Sequence, residues 1–103
     1  MKEYRFSKII LEKPVDVLIC DTGSGISAVI SGGDRGHIGS VSAIYPDLPL
    51  ISHQFPAHRE GIVTDRWANA LYERFGCAVV VSAGVHYDGI LSYISLSEKG
   101  KPE

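Results

Sequence analysis

Ser31-Gly32-Gly33-Asp34-Arg35-Gly36-His37-Ile38-Gly39 lies between two apolar runs, Ile26 to Ile30 and Ile38 to Ile44. Both runs alternate as strands do, so the stretch joins two strands. Its four glycines remove side chains that would hold a ligand off the backbone, and they permit positive φ angles. An Asp, an Arg and a His remain on that bare backbone. A turn that only reverses the chain needs about two to five residues and one or two glycines. This stretch is longer and carries both signs of charge, so it reads equally as a polar glycine-rich hairpin or as a ligand loop.

Upstream, Tyr4 to Leu11 reads as a strand closed by Lys13-Pro14, and Val15 to Cys20 as a second strand rich in β-branched residues. Asp21-Thr22-Gly23-Ser24-Gly25 is a turn cluster leading to the Ile26–Ile30 strand. Downstream, Pro46-Asp47-Leu48-Pro49 separates the Ile38–Tyr45 strand from a short one over Leu50 to Phe55. The connections are too short for crossovers, which predicts an antiparallel meander of roughly five strands.

The period then changes. Val63, Trp67, Ala70, Leu71 and Phe75 recur at three- and four-residue steps, with Asp65, Arg66, Asn69, Glu73 and Arg74 between them. This predicts one long amphipathic helix from about His58 to Phe75, with the Trp67 stripe facing the core and Gly76 as its stop. Ala78 to Val85 reads as a strand buried on both faces, and Ile90 to Leu96 as a short closing helix. The predicted fold class is α+β: a mainly antiparallel sheet of about six strands with the helix on one face. Residues 1–103 form one domain in this reading, with an ordered core over about 4–96 and a frayed tail over 97–103.

The formal net charge of −2 offers no basic footprint for nucleic acid or for an anionic membrane. No apolar run is long enough to span a bilayer, and the first residues lack a signal-peptide pattern, which places the chain in the cytoplasm. Cys20 and Cys77 lie in strand-like runs without a C-x-x-C pair; they would pair if those strands are neighbours, and otherwise read as two buried free thiols in a reducing compartment.

Three of the four histidines share a setting. His37 closes the glycine stretch, His58 opens the helix with Glu60 two residues on, and His86 ends the buried strand with Asp88 two residues on. Each stands at the end of an element, where a site is assembled. Imidazoles are common metal ligands, and a carboxylate nearby serves as ligand or as its partner. No interval matches H-E-x-x-H, and a lone His at a helix start is more often a cap or a surface residue than a ligand, while His86-Tyr87-Asp88 also reads as an ordinary turn with Asp88 capping the last helix. Arg35 and the helix start suit a phosphate. No nucleophile elbow, Walker loop or Ser-His-Asp set is present, and His53 reads as a surface residue.

Gly32-Gly33-Asp34-x-x-His37-Ile38-Gly39, Pro56-x-His58-Arg59-Glu60 and Val79-Val80-Val81-x-Ala83-Gly84-Val85-His86-Tyr87-Asp88, in that order, resemble the prenylated-flavin chaperone (LpdD-like) family, whose members accompany UbiD-type or gallate-type decarboxylases. The resemblance runs from about Val15 to Ile94. It implies a fold akin to small proteasome-assembly chaperones, a homodimer, and a non-catalytic carrier of prenylated FMN or FMN for a UbiD-type decarboxylase. Carried over by position, His37, His58 and His86 would be the binding residues, with Glu60 and Asp88 behind them. Residues and resemblance together give Gly32, Gly33, Asp34, Arg35, His37, Gly39, Arg59 and Glu60 as the candidate cofactor site, with Arg35 or the helix start taking the phosphate. His37, His58 and His86 would hold a divalent metal, with Glu60 or Asp88 as ligand or behind the ligands. Two other classes stay open: a small metal-dependent enzyme acting on a flavin or a phosphorylated metabolite, and a structural subunit or assembly chaperone of a decarboxylase complex.

Overall fold

The computed structural model describes residues 1–55 and 61–86. Its elements are β1 (Lys2–Ile10), β2 (Lys13–Asp21), β3 (Gly25–Gly33), β4 (Arg35–Ile44), β5 (Ile51–Gln54), α1 (Gly61–Phe75) and β6 (Ala78–His86). The strands form one six-stranded sheet in the order β1-β2-β3-β6-β4-β5.

The sheet is mixed. β6 runs parallel to β3 and antiparallel to β4, lying between the two. A short connection therefore does not make β3 and β4 neighbours. Asp34 alone links them, and the chain arches there over the end of β6, where His86 is opposed by Gly33 on one side and Arg35 on the other. The crossover that inserts β6 is α1, which carries the chain back across the sheet between β5 and β6. The fold class expected from the sequence is thus corrected on two counts: the sheet is mixed rather than mainly antiparallel, and among the described residues its helix is the short Gly61–Phe75 element rather than a long one. The expected helix start at His58 lies outside the described residues. The closing helix expected over Ile90–Leu96 falls outside the described residues.

The side of α1 that meets the sheet also differs from the expected stripe. Gly61, Thr64 and Ala68 are buried, whereas Val63 is 42% and Phe75 56% exposed; Trp67 and Leu71 are half-buried against the core. Small residues win the sheet-facing side because the helix start lies close against β4. There the Thr64 Oγ1 sits 2.9 Å from Ser40 Oγ and 2.7 Å from Ser42 Oγ. Of the expected stripe, Trp67 and Leu71 do pack against the core, while Val63 and Phe75 stay exposed.

The core is Val15, Val17, Ala28, Ile30, Ile44, Ala68, Val79, Val81 and Ala83. On β6 it is one-sided: Val79, Val81 and Ala83 face the helix, while Val80 on the other face is 44% exposed. The expectation of a strand buried on both faces is corrected accordingly. The helix ends at Gly76, in left-handed conformation at φ 65°, with its N–H donated to the Tyr72 carbonyl at 2.8 Å.

Candidate functional site

The arch that joins β3 to β4 is held by its backbone. Asp34 N–H donates to the His86 carbonyl at 2.6 Å, and Gly33 makes the corner at φ 83°. A methyl on Gly33 would run into the His86 carbonyl. On the next strand, the β4–β6 register shifts between Gly36 and Ser40, so that extra residues of β4 bulge opposite Gly84. Gly84 lets the His37 carbonyl approach the β6 backbone at a place that a side chain would fill. These glycines bring backbone against backbone, and the side chains between them are turned outward as a group.

That group is Arg35, His37 and His86, with Asp34 and Lys13 beside it. Arg35 Nη2 lies 3.3 Å from His86 Nε2. A guanidinium only donates, so in this contact Nε2 is the acceptor. The His37 and His86 rings meet edge to face, with centroids 6.0 Å apart. Lys13 Nζ pairs with Asp34 Oδ1 at 3.4 Å, both side chains partly exposed. Two cations and one carboxylate thus stand with two imidazoles at one end of the sheet. One guanidinium N–H is engaged by His86, and the fork keeps further donors in one plane, the geometry that matches phosphate or carboxylate oxygens.

The start of α1 lies toward the same end. Gly61 packs beside Ser40, three residues along β4 from His37, and Gly61 N–H is satisfied by Gln54 Oε1 at 2.9 Å. The first described amide of the helix is therefore already engaged. His58, Arg59, Glu60 and Asp88 lie outside the described residues. Among the described residues no group of three or more His, Cys, Asp or Glu is placed to hold a metal ion.

The remaining candidates have other neighbours. Gly32 faces the backbone of Pro14 and Val15, and Gly39 is buried with its carbonyl accepting the Phe55 N–H at 2.8 Å. His53 is exposed and packs its ring against Phe55 at 4.9 Å. Cys20 and Cys77 are free and half-buried.

Two sets of residues were not singled out by the sequence reading. Lys13 reaches the site from the far side of β3, a placement that needs the β2–β3 register to be known. The other set is a buried polar seam: Ser40, Ser42 and Thr64 are all fully buried, and Ser42 Oγ also meets Asp65 Oδ1 at 2.5 Å. Ser42 carries one hydroxyl proton, so it donates to Thr64 or to Asp65 but not to both at once. Its one signal in the sequence is a pair of serines two apart on a strand, in phase on one face.

Residues 12–93 match the prenylated flavin chaperone LpdD-like domain. The chain belongs to this family. The matched segment takes in β2 through β6, the arch and both described histidines of the cluster, and β1 precedes it. No curated protein matches the chain. Within the described residues no helix is long and apolar enough to cross a membrane.

Proposed function

We propose that the protein binds prenylated FMN, or FMN, through the phosphate end at the Arg35–His37–His86 cluster, and carries it to a UbiD-type decarboxylase without performing a reaction itself. The observation that carries this reading is the convergence of Arg35 and both histidines on the arch of a chain whose family is that of the prenylated flavin chaperones. The residues suit a flavin phosphate: Arg35 supplies a planar fork of donors, Lys13 a second cation within reach of the arch, and Asp34 keeps that cation in place through their ion pair. The imidazoles offer N–H donors and flat apolar edges beside the charges. Arg59 and Glu60 belong to the same proposal by sequence position.

The test is a fluorescence titration of the purified protein with FMN, and anaerobically with prenylated FMN, in the wild type and in Arg35→Ala. Loss of a phosphate fork should weaken binding by about tenfold or more, since hydrogen bonds to charged groups contribute roughly 1.5–3 kcal/mol. Equal affinity in both proteins, with both folded, rejects the cluster as the phosphate site. Equal affinity for riboflavin and FMN rejects the phosphate itself as the recognised group.

A further inference from the structure

A cavity of about 410 Å³ opens beside the arch, on the face of the sheet turned away from α1. Val79, Val81 and Ala83 of β6 face the helix, so Val80, Ser82, Gly84 and His86, which alternate with them, belong to the opposite face. Register carries that face across the sheet. Gly84 is paired with Ser31, Ser31 with Asp16 and Asp16 with Ser7; in the next row Ser82 is paired with Val29, Val29 with Leu18 and Leu18 with Arg5. Six of these residues line the cavity: Arg5, Ser7, Asp16, Leu18, Val29 and Ser31. Ser31 joins it to the arch, because a methyl on Gly36 would run into Ser31 Oγ.

We propose that the tricyclic ring of the flavin lies in this cavity, over Leu18 and Val29, with Arg5 at its far edge. The placement rests on the arch being the phosphate site. From His86 on β6 to Arg5 on β1 is three strand spacings, about 14 Å. An FMN molecule extended from phosphate to ring covers a comparable distance, so a ligand anchored at Arg35 and His86 reaches across β3 and β2. The lining suits a flat heteroaromatic group. Leu18 is half-buried and Val29 37% exposed, which gives an apolar floor, and Ser7 and Ser31 are too small to obstruct a ring. Asp16 offers acceptors to the hydroxyls of the sugar chain, and Arg5 offers donors to the ring carbonyls. The volume falls within the roughly 300–1,000 Å³ of small-molecule pockets. A second cavity, bounded by Tyr4, Ile19, Leu71 and Phe75, lies on the helix face toward the β2–β3 turn. The sheet stands between it and the arch, so a ligand held by its phosphate at Arg35 does not enter it.

Fluorescence titration of the full chain with FMN and with lumiflavin, the ring without its sugar phosphate, separates the two ends of the ligand. Val29→Trp should weaken both ligands by about tenfold or more, because the indole takes the place of the ring. Ser7→Trp fills the same cavity from the exposed edge strand and should act alike, which keeps the test open if Val29→Trp does not fold. Arg5→Ala should weaken both ligands by about threefold, the loss of one exposed hydrogen bond. Arg35→Ala should weaken FMN alone, and Tyr4→Ala, on the second cavity, should change neither. The ring placement is overturned if the folded tryptophan variants bind FMN as tightly as the wild type, or if Tyr4→Ala weakens it in their stead. Weaker FMN binding in Arg35→Ala would then still uphold the arch as the phosphate site. A wild type that binds no FMN overturns both readings.

Discussion

The arch over β6 and the seam between α1 and β4 are both polar, and they differ in where their polar groups are spent. In the seam, Ser40, Ser42 and Thr64 are sealed from water and bond one another, with Gly61 and Asp65 completing the set. At the arch, the backbone satisfies itself through Asp34 and His86, and the side chains of Arg35 and Lys13 stay partly in solvent. A buried and satisfied polar cluster specifies packing, whereas a half-exposed one beside a glycine-lined backbone remains able to take a ligand. Polarity alone does not separate the two.

The comparison breaks first at Gly84. Replacing it with Val should cost roughly 3 kcal/mol or more, because the new side chain lands on the His37 carbonyl and must spread β4 from β6. Urea unfolding measures the cost, and a fully stable Gly84→Val protein would mean that the bulge yields easily and the arch is not held from below. Next comes Thr64→Val in the seam. It keeps the volume but strips a hydroxyl from between two buried serines, which should cost about 2 kcal/mol while leaving flavin affinity unchanged. Weaker flavin binding in a folded Thr64→Val protein would erase the distinction between seam and site.

The opposite signature is expected at the arch. His86→Ala should change stability by less than about 1 kcal/mol yet weaken flavin binding several-fold, because Arg35 loses the acceptor that orients its fork. Rescue of affinity by His86→Gln, which also offers an acceptor, would mark the role as positioning. The smallest effect is expected at Lys13→Ala, near 0.5 kcal/mol in stability, since exposed ion pairs contribute about 0–1 kcal/mol. Its effect on flavin affinity should shrink further as salt is raised, a dependence that fluorescence titration at two ionic strengths reads directly.

Much of the local structure was legible because short-range rules govern it. Alternating apolar runs mark the strands, and the break after Phe75 at Gly76 follows from a left-handed glycine that no neighbour needs to impose. The side of α1 that faces the sheet was misread because periodicity counts apolar residues, and the tight seam rewards small ones instead. Val63 and Phe75 complete a persuasive stripe in sequence, yet Gly61, Thr64 and Ala68 are the residues that fit against Ser40 and Ser42. The candidate site was legible in its histidines and its glycines, because bare backbone next to charge is visible in a sequence. Its partner Lys13 was not, because ion pairs across strands depend on register.

The sequence by itself determined where strands and helix lie, that glycines crowd around an Asp, an Arg and a His, and which family the three motifs resemble. Those are properties of neighbouring residues, decided over distances of a few positions. Only the tertiary structure decided that β6 enters between β3 and β4, parallel to one and antiparallel to the other. That insertion depends on a helical crossover and on a bulge facing Gly84, both contacts between segments far apart in the chain. It is also what sets His86 under Arg35 and beside His37. The residues of the site are written locally, and their meeting is a consequence of strand order.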